Sequence, residues 1–476
     1  MAEIEKQKSE IDERKELIDD LTHKLYSYLN NYYLIGIRRD REKFYSFTQE
    51  ELEQNGLLRC GVYMNLIMDG KLDDAEKLLQ IEDSDTIRWL GMLLVHPRIS
   101  IQDFIRTVET LKKRNTPIRS VLLTAGRPYV LNGLYDFTKM GPLLERNREL
   151  IIEDMKYIYE PNICPAIYSL CLAEYYYQQN RILDAEILVN RTIKEFDRAS
   201  ENRLLFSALH LQAKILLAQG KVFNIGSYIK DCRKFIDENG EMEFSYNIDT
   251  AEVMAAFYEG NHELITQWIK TKAPDEFSNF NMLDLYRYMV KIRCYIITKK
   301  YTAVVALAEK LRPLLEEGHR QMDLCEIDIL LTICFYHANE KKLAFESLER
   351  ALKIAKRRKF YRLIADEGEA ILQPMIEYIK TKGETPFLMK LVDIARDVTI
   401  HHPLYLKPLY KNKETFTHTE LDILRLLEQG MTKESIAEYF FVSVNTIKYH
   451  LKNIYSKLDA KSASQAVWEA RVIGLI

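Results

Sequence analysis

Glycine and proline are scarce in this chain, with 17 and 12 among 476 residues. Turn-rich all-β architectures and low-complexity linkers are excluded by that shortage, and alternating strand patterns are scarce as well. Cysteine is sparse and scattered: Cys60, Cys164, Cys171, Cys232, Cys294, Cys325 and Cys334. No pair has C-x-x-C spacing and no histidine cluster accompanies them, so a zinc site is not expected. An odd number of dispersed thiols fits a reducing cytoplasm. Cys164 and Cys171, seven apart, read as one buried helical face. Excess charge of one sign is also missing, because the formal net charge is −3. A nucleic-acid surface must therefore be a local patch. No apolar run approaches ~18 residues, and the opening MAEIEKQKSEIDERKEL is too charged for a signal peptide. Neither a membrane partner nor export is expected, which leaves a cytoplasmic chain. There is no G-x-x-x-x-G-K-[ST] phosphate loop; Gly70-Lys71 and Gly220-Lys221 are turns. No Ser/His/Asp set or carboxylate pair stands in a pocket motif. No cofactor, no ATP binding and no enzyme activity are expected.

What remains is rich in Leu, Ile, Lys, Glu and Ala, with apolar residues at three- and four-residue spacing almost throughout. The fold class read from this is all-α. The middle of the chain repeats with a period of 40. Five turns are in register: Gln179-Asn180-Arg181, Gln219-Gly220-Lys221, Glu259-Gly260-Asn261, Lys299-Lys300-Tyr301 and Asn339-Glu340-Lys341. An apolar residue stands five after each turn centre: Ala185, Ile225, Ile265, Val305 and Phe345. A further unit surrounds Asp69-Gly70-Lys71. One such helix pair cannot bury its apolar face alone, so neighbours stack into a solenoid. The period exceeds the ~34 of a tetratricopeptide repeat, so the units read as tetratricopeptide-like with longer loops. Such solenoids present a concave surface for ligands or proteins. The many tyrosines, Tyr175-Tyr176-Tyr177 among them, read as solenoid packing. In Thr124–Gly133, Arg127 is either an anion ligand or a structural ion-pair partner.

Sequence grammar divides the chain into a helical leader (1–55), a repeat domain (56–397), a linker (398–414, with His401-His402-Pro403 and Pro408) and a terminal module (415–476). In the module, Thr417-x-x-Glu420 is a capping box that opens a helix carrying Leu421, Leu424 and Leu427. Gly430 ends that helix. Thr432 caps a second helix with Ile436, Ala437 and Phe440 inward, and Ser443 caps a third. There Ile447, Leu451, Ile454 and Leu458 form the buried stripe. Asn445, Lys448, Tyr449, Lys452, Asn453 and Ser456 form the exposed one. A helix that lies in a major groove needs such a face. The cations Lys448, Lys452, Lys457 and Lys461 cluster, while Glu414, Glu420, Asp422 and Glu428 sit at the module's start. A fourth helix, Ala463–Ile473, closes the bundle. A tight turn between two helices is helix-turn-helix geometry.

The run Thr417-x-x-Glu420-x-x-Ile423-Leu424-x-Leu426-x-x-x-Gly430, with Ile436-Ala437 and Ser443-x-x-Thr446-Ile447-Lys448-x-His450-x-x-x-Ile454-x-x-Lys457-Leu458, resembles the LuxR-type helix-turn-helix family. By that resemblance Lys448, Tyr449 and Lys452 face bases, Thr446, His450 and Lys433 approach phosphates, and the fourth helix around Ala466 makes a dimer contact. Val444 stands where the family usually has an acidic residue, and Ala463 where an arginine is usual. Upstream, Ala351-Leu352-x-x-Ala355, Phe360 and Asp366-Glu367-Gly368 after helical repeats resemble the large ATP-binding, MalT-like LuxR-type regulators. The chain lacks their phosphate loop, so it is expected to be either a fragment or a short form without the ATPase.

The resemblance implies a transcription regulator: the solenoid senses a small molecule or protein, and the module binds double-stranded promoter DNA. The expected DNA-binding residues are Lys433, Asn445, Thr446, Lys448, Tyr449, His450, Lys452, Asn453 and Lys461. A second chain on DNA and RNA polymerase are further implied partners. Two other classes stay open. One is an interaction scaffold whose last module contacts protein. The other is a peptide-pheromone receptor, against which the carboxy-terminal place of the module argues.

Overall fold

A computed structural model of the chain describes all residues except 1, 31–33, 82–84, 119–127, 134, 200–201, 222–224, 239–244, 408–415, 459 and 473–474. Arg127, the residues 411–413 and Glu414 therefore lie outside the described residues. The chain is all-α, 77% helical. Among the described residues there is no strand, only an isolated bridge between Asn132 and Asp136.

Each repeat is a pair of unlike helices. In the pair Gln321–His337 and Lys341–Arg358, the first helix is buried without a break from Met322 to Cys334. The second buries only Ala344, Ser347, Leu348, Ala351 and Ala355, one face at three- and four-residue spacing. The first is thus enclosed on all sides, while the second floats one face in water. The pairs Cys164–Gln178 with Ile182–Ala199 and Leu285–Ile297 with Tyr301–Glu317 follow the same rule. All seven cysteines are buried and free, so Cys164 and Cys171 do share a buried environment.

The turns set the register. Each first helix ends on a left-handed residue, at Gly70, Asn180, Gly220, Gly260, Lys299 and Asn339. At all six the next N–H reaches back to a carbonyl five residues earlier, as from Arg181 to Tyr176 and from Glu340 to Phe335, satisfying orphan carbonyls. The residue five after the left-handed position is buried every time: Ala75, Ala185, Ile225, Ile265, Val304 and Ala344. The even 40-residue beat thus slips by one at Lys299. Val305 and Phe345, five after the turn centres read from the sequence, are only half-buried, and Val304 and Ala344 take the buried places. A left-handed lysine at 299 leaves no mark that sequence periodicity could detect.

The leader is not separate from the repeats. Leu21, Leu25, Leu34, Ile37 and Phe44 are fully buried in one cluster with Leu58, Met64, Leu285 and Ile327. Arg41 and Tyr45 bind Asp69 at 2.7 and 2.8 Å, tying the leader to the first turn. At Gly61 an added Cβ would fall 2.2 Å from Phe44, so the close approach requires glycine.

The repeats curl until the helix Cys164–Gln178 meets the segment after the last pair: Tyr177 donates to Asp366 at 2.8 Å, and the Leu363 N–H donates to Gln178 at 3.0 Å. The boundary expected at 397/398 falls inside the helix Pro386–His401. Beyond it, His402 meets the Leu217 carbonyl at 2.8 Å, and Tyr405 and Leu406 are buried beside Val253, Phe257 and Ile265. The segment after the repeats therefore packs back on the second and third pairs.

From the amino-terminal side, the Val130 and Leu131 N–H groups donate to the two Glu174 carboxylate oxygens at 2.7 and 2.8 Å. Burial pushes the Glu174 pKa from 4.5 up to about 8, against the opposite pull of those two donors. The folded state then holds a proton that the unfolded chain releases above pH 4.5. Stability from this group is full below that value and is lost as pH rises through about 8. Denaturant titrations at about pH 5 and about pH 8 should show wild type losing about 1–3 kcal/mol more than Glu174→Gln. Equal losses in both proteins would show that Glu174 is already ionised at the lower pH.

Candidate nucleic-acid interface

The last four helices have their own core, built around Ile423, Leu424, Leu426, Ile436, Ile447, Leu451, Ile454, Leu458, Ala466 and Ala470. The first helix, His418–Glu428, opens with both halves of the capping box: Thr417 accepts from the Glu420 N–H at 3.2 Å, and Glu420 accepts from the Thr417 N–H at 2.8 Å. Its buried apolar residues are Ile423, Leu424 and Leu426, whereas Leu421 and Leu427, expected inward with Leu424, are half-buried. Gly430 follows at φ +82, the left-handed stop read from the sequence. Thr432 caps the second helix, Lys433–Tyr439.

The turn between the second and third helices is left-handed at Phe441, whose side chain is 96% exposed. The Val442 N–H returns to the Ala437 carbonyl at 3.0 Å. Ser443 then accepts from the Thr446 N–H at 3.1 Å and starts the third helix, Val444–Leu458. Ile447, Leu451, Ile454 and Leu458 are buried as the spacing required. With that stripe fixed inward, Asn445, Thr446, Lys448, Tyr449 and Lys452 are exposed on the other side, and His450 and Asn453 are half-buried at its border. The His450 ring meets the Tyr449 ring edge-on at 5.9 Å. Thr446 shares a hydrogen bond with Ser443 at 2.9 Å. Lys433 and Lys461 are exposed at the start of the second helix and just before the fourth. Among the described residues no ion pair engages Lys433, Lys448, Lys452 or Lys461.

Two expectations change. Lys457 does not join the free cations: it binds Glu420 at 2.5 Å and lies 5.2 Å from the Phe416 ring centre. Burial works against the charge on Glu420, but Lys457 and the Thr417 N–H outweigh it and hold the carboxyl below its ordinary value. The pair clamps the end of the third helix to the start of the first. Ala466 does not form an outward dimer face either, because it is fully buried in the module's own core, as is Ala470. Ser464, Trp468 and Arg471 are the outward residues of the fourth helix, Ala463–Val472. Lys407 lies 4.9 Å from the Trp468 ring centre and bridges Glu369, at 2.6 Å, with Glu469, at 3.5 Å.

A second polar constellation, absent from the sequence reading as a site, lies inside the repeat region. Arg293 binds Glu326 at 2.8 Å and also Glu367, which accepts from Tyr405 at 3.0 Å. Beside it, Asp366 pairs with Arg362 at 2.6 Å and Lys214 at 3.1 Å. Burial raises the cost of the Asp366 charge, yet Arg362 and Lys214 keep its pKa below the ordinary value. Lys214, Arg293, Glu326, Asp366, Glu367 and Tyr405 line a cavity of about 70 Å³, together with Tyr129, His210 and Tyr286. In the sequence Asp366 and Glu367 stand out only as part of a family motif. The available signal was charge on helices that are otherwise apolar.

Residues 160–377 match the family described as the MalT-like TPR region, and residues 414–470 match the bacterial regulatory proteins of the luxR family. The chain is 25% identical over 283 residues to the HTH-type transcriptional regulator MalT of Klebsiella pneumoniae (strain 342), covering 55% of this chain and 31% of that protein. It is 22% identical over 284 residues to the HTH-type transcriptional regulator MalT of Yersinia pestis (strain Pestoides F), with the same coverage. The match therefore spans about a third of the length of these curated relatives. The chain carries a MalT-like TPR region followed by a carboxy-terminal LuxR-family helix-turn-helix domain.

Proposed function

We propose that this chain is a transcription regulator whose third terminal helix reads promoter DNA, while its repeat region responds to a small-molecule or protein effector. One observation carries the reading: the exposed face with Asn445, Lys448, Tyr449 and Lys452, free of ion pairs, stands on a helix-turn-helix of the LuxR family. Lysine ammonium groups suit guanine acceptors and asparagine suits adenine edges. Lys433, Thr446, His450 and Lys461 flank that face and serve phosphates, and Asn453 stands at its border. The names of the matched relatives, transcriptional regulators, support the same reading. Two chains pair on the DNA, and half-sites lie about one helical turn apart. The effector acts on the buried ionic constellation, where ligand contacts would be strong because water is scarce.

Selection of duplexes from a random pool by the full chain tests this reading. A recurring two-half-site sequence is expected, lost in Lys448→Ala/Lys452→Ala. Retention of all duplexes alike, with no preferred sequence, would overturn it. The exposed Tyr439, Phe441 and Val442 beside the recognition helix favour a second reading, a protein-contacting module. That reading requires the selection to fail.

A further inference from the structure

A cleft of about 260 Å³ opens where the amino-terminal segment meets the fourth and fifth repeat pairs. Four basic side chains from three separate elements line it. Lys139 comes from a short 3₁₀ turn, His319 from the left-handed turn after Tyr301–Glu317, and Arg357 and Arg358 from the last turn of Lys341–Arg358. Cations often close a helix carboxy terminus, which would account for the two arginines alone. It does not account for their convergence with Lys139 and His319, which are remote in sequence.

Among the described lining residues one carboxylate, Asp136, faces these four basic groups and does not balance them. Among the described residues, no ion pair engages Lys139, Arg357 or Arg358. The lining carboxylate, Asp136, is committed on both oxygens: the Thr138 N–H donates at 3.0 Å and the Met322 N–H at 2.8 Å. Partial burial pulls the Arg358 guanidinium below its ordinary pKa, with Asp136 resisting. A desolvated cation without a close counter-ion costs free energy that a bound anion would recover. The lining also carries aromatic surface: the Phe104 and Phe137 rings lie edge to face at 5.5 Å, and both line the cleft.

The geometry points to a binding site for a small organic phosphate, its phosphoryl group held by Arg357, Arg358 and Lys139 and its organic part against Phe104 and Phe137. Charge selects phosphate over carboxylate, because a phosphate monoester carries about −1.5 to −2 at neutral pH. Volume selects an organic ester over the bare ion. The cleft shares no lining residue with the buried ionic cavity, and it stands independently of the DNA reading. Bound there, the ligand would bridge the Lys139 segment to the carboxy end of Lys341–Arg358, beside the bond by which Asp136 already holds the start of Gln321–His337.

Calorimetry on the full chain with three probes tests this assignment: phenyl phosphate, inorganic phosphate and benzoate. Phenyl phosphate should bind most tightly, inorganic phosphate less so, and benzoate most weakly. Arg357→Gln/Arg358→Gln should weaken phenyl phosphate about tenfold or more, since each charge-assisted hydrogen bond is lost. Lys139→Gln, at an exposed position where folding is not at risk, should weaken it by a smaller factor. The assignment is overturned if phenyl phosphate gives no saturable heat, if benzoate matches it, or if Lys139→Gln and the folded double variant bind as wild type does.

Discussion

Replacing Arg293 with methionine should lower the unfolding free energy by about 3–5 kcal/mol, the largest single-residue effect expected in the repeat region. Arg293 is buried, as are both carboxylates that it binds, Glu326 and Glu367. Burial opposes its charge, but Glu367, Tyr405 and Glu326 outweigh that and hold the guanidinium protonated. Without it, two buried carboxylates would lose the guanidinium that they share. Urea titration measures the loss. Adding Glu326→Leu and Glu367→Leu to the same chain should recover much of it, because an apolar replacement of a whole buried ion cluster is often near neutral. A loss below about 1 kcal/mol for Arg293→Met would show that water reaches the cluster and screens it. The same result would weaken the case for this constellation as the place where an effector acts.

Lys452→Ala should cost about 1–3 kcal/mol on the selected duplex, or roughly 5- to 150-fold in affinity, and should relax the preference at one base position. Lys452 is exposed one turn after Lys448, on the side opposite the buried Leu451 and Ile454. From there its ammonium can reach base edges deep in a major groove. His450 is half-buried, turned off that face beside Tyr449, where the groove wall and its phosphates would lie. His450→Ala should therefore weaken selected and scrambled duplexes alike. Titrations of both variants against both duplexes at two salt concentrations separate the roles. Phosphate contacts release counterions and set the salt slope, so a flattened slope in Lys452→Ala would place that lysine on the backbone. Equal losses on the two duplexes would refute base readout by Lys452 while leaving DNA binding intact.

The terminal module was legible almost residue by residue. Its capping box, its Gly430 stop, its Ser443 cap and the inward stripe from Ile447 to Leu458 are all interactions within a few residues of one another. Where contact crossed the module, the sequence misled. Lys457 looked like one more free cation until Glu420, 37 residues away, was seen to hold it. The fourth helix around Ala466 was expected at a dimer contact, because a short apolar stripe does not reveal whether a domain core or a second chain will cover it. In the repeats, the turn at Lys299 shifted the core by one residue, since a non-glycine residue in the left-handed region carries no compositional mark.

Local sequence determined which segments are helical, where they stop and which face of each is apolar, since helical periodicity and capping act over at most a turn or two. It thereby determined the helix-turn-helix and the helices of the repeat. Tertiary structure alone decided how those faces were used. The small rotation from each repeat to the next accumulates until Tyr177 meets Asp366, and that closure gathers Lys214, Arg293, Glu326, Glu367 and Tyr405 into one buried constellation. The same closure directs Lys139 and Arg358, more than two hundred residues apart, into a single cleft. A charged residue on a helix reads the same in sequence whether water or another helix lies against it, and only the summed geometry of the stack distinguishes the two.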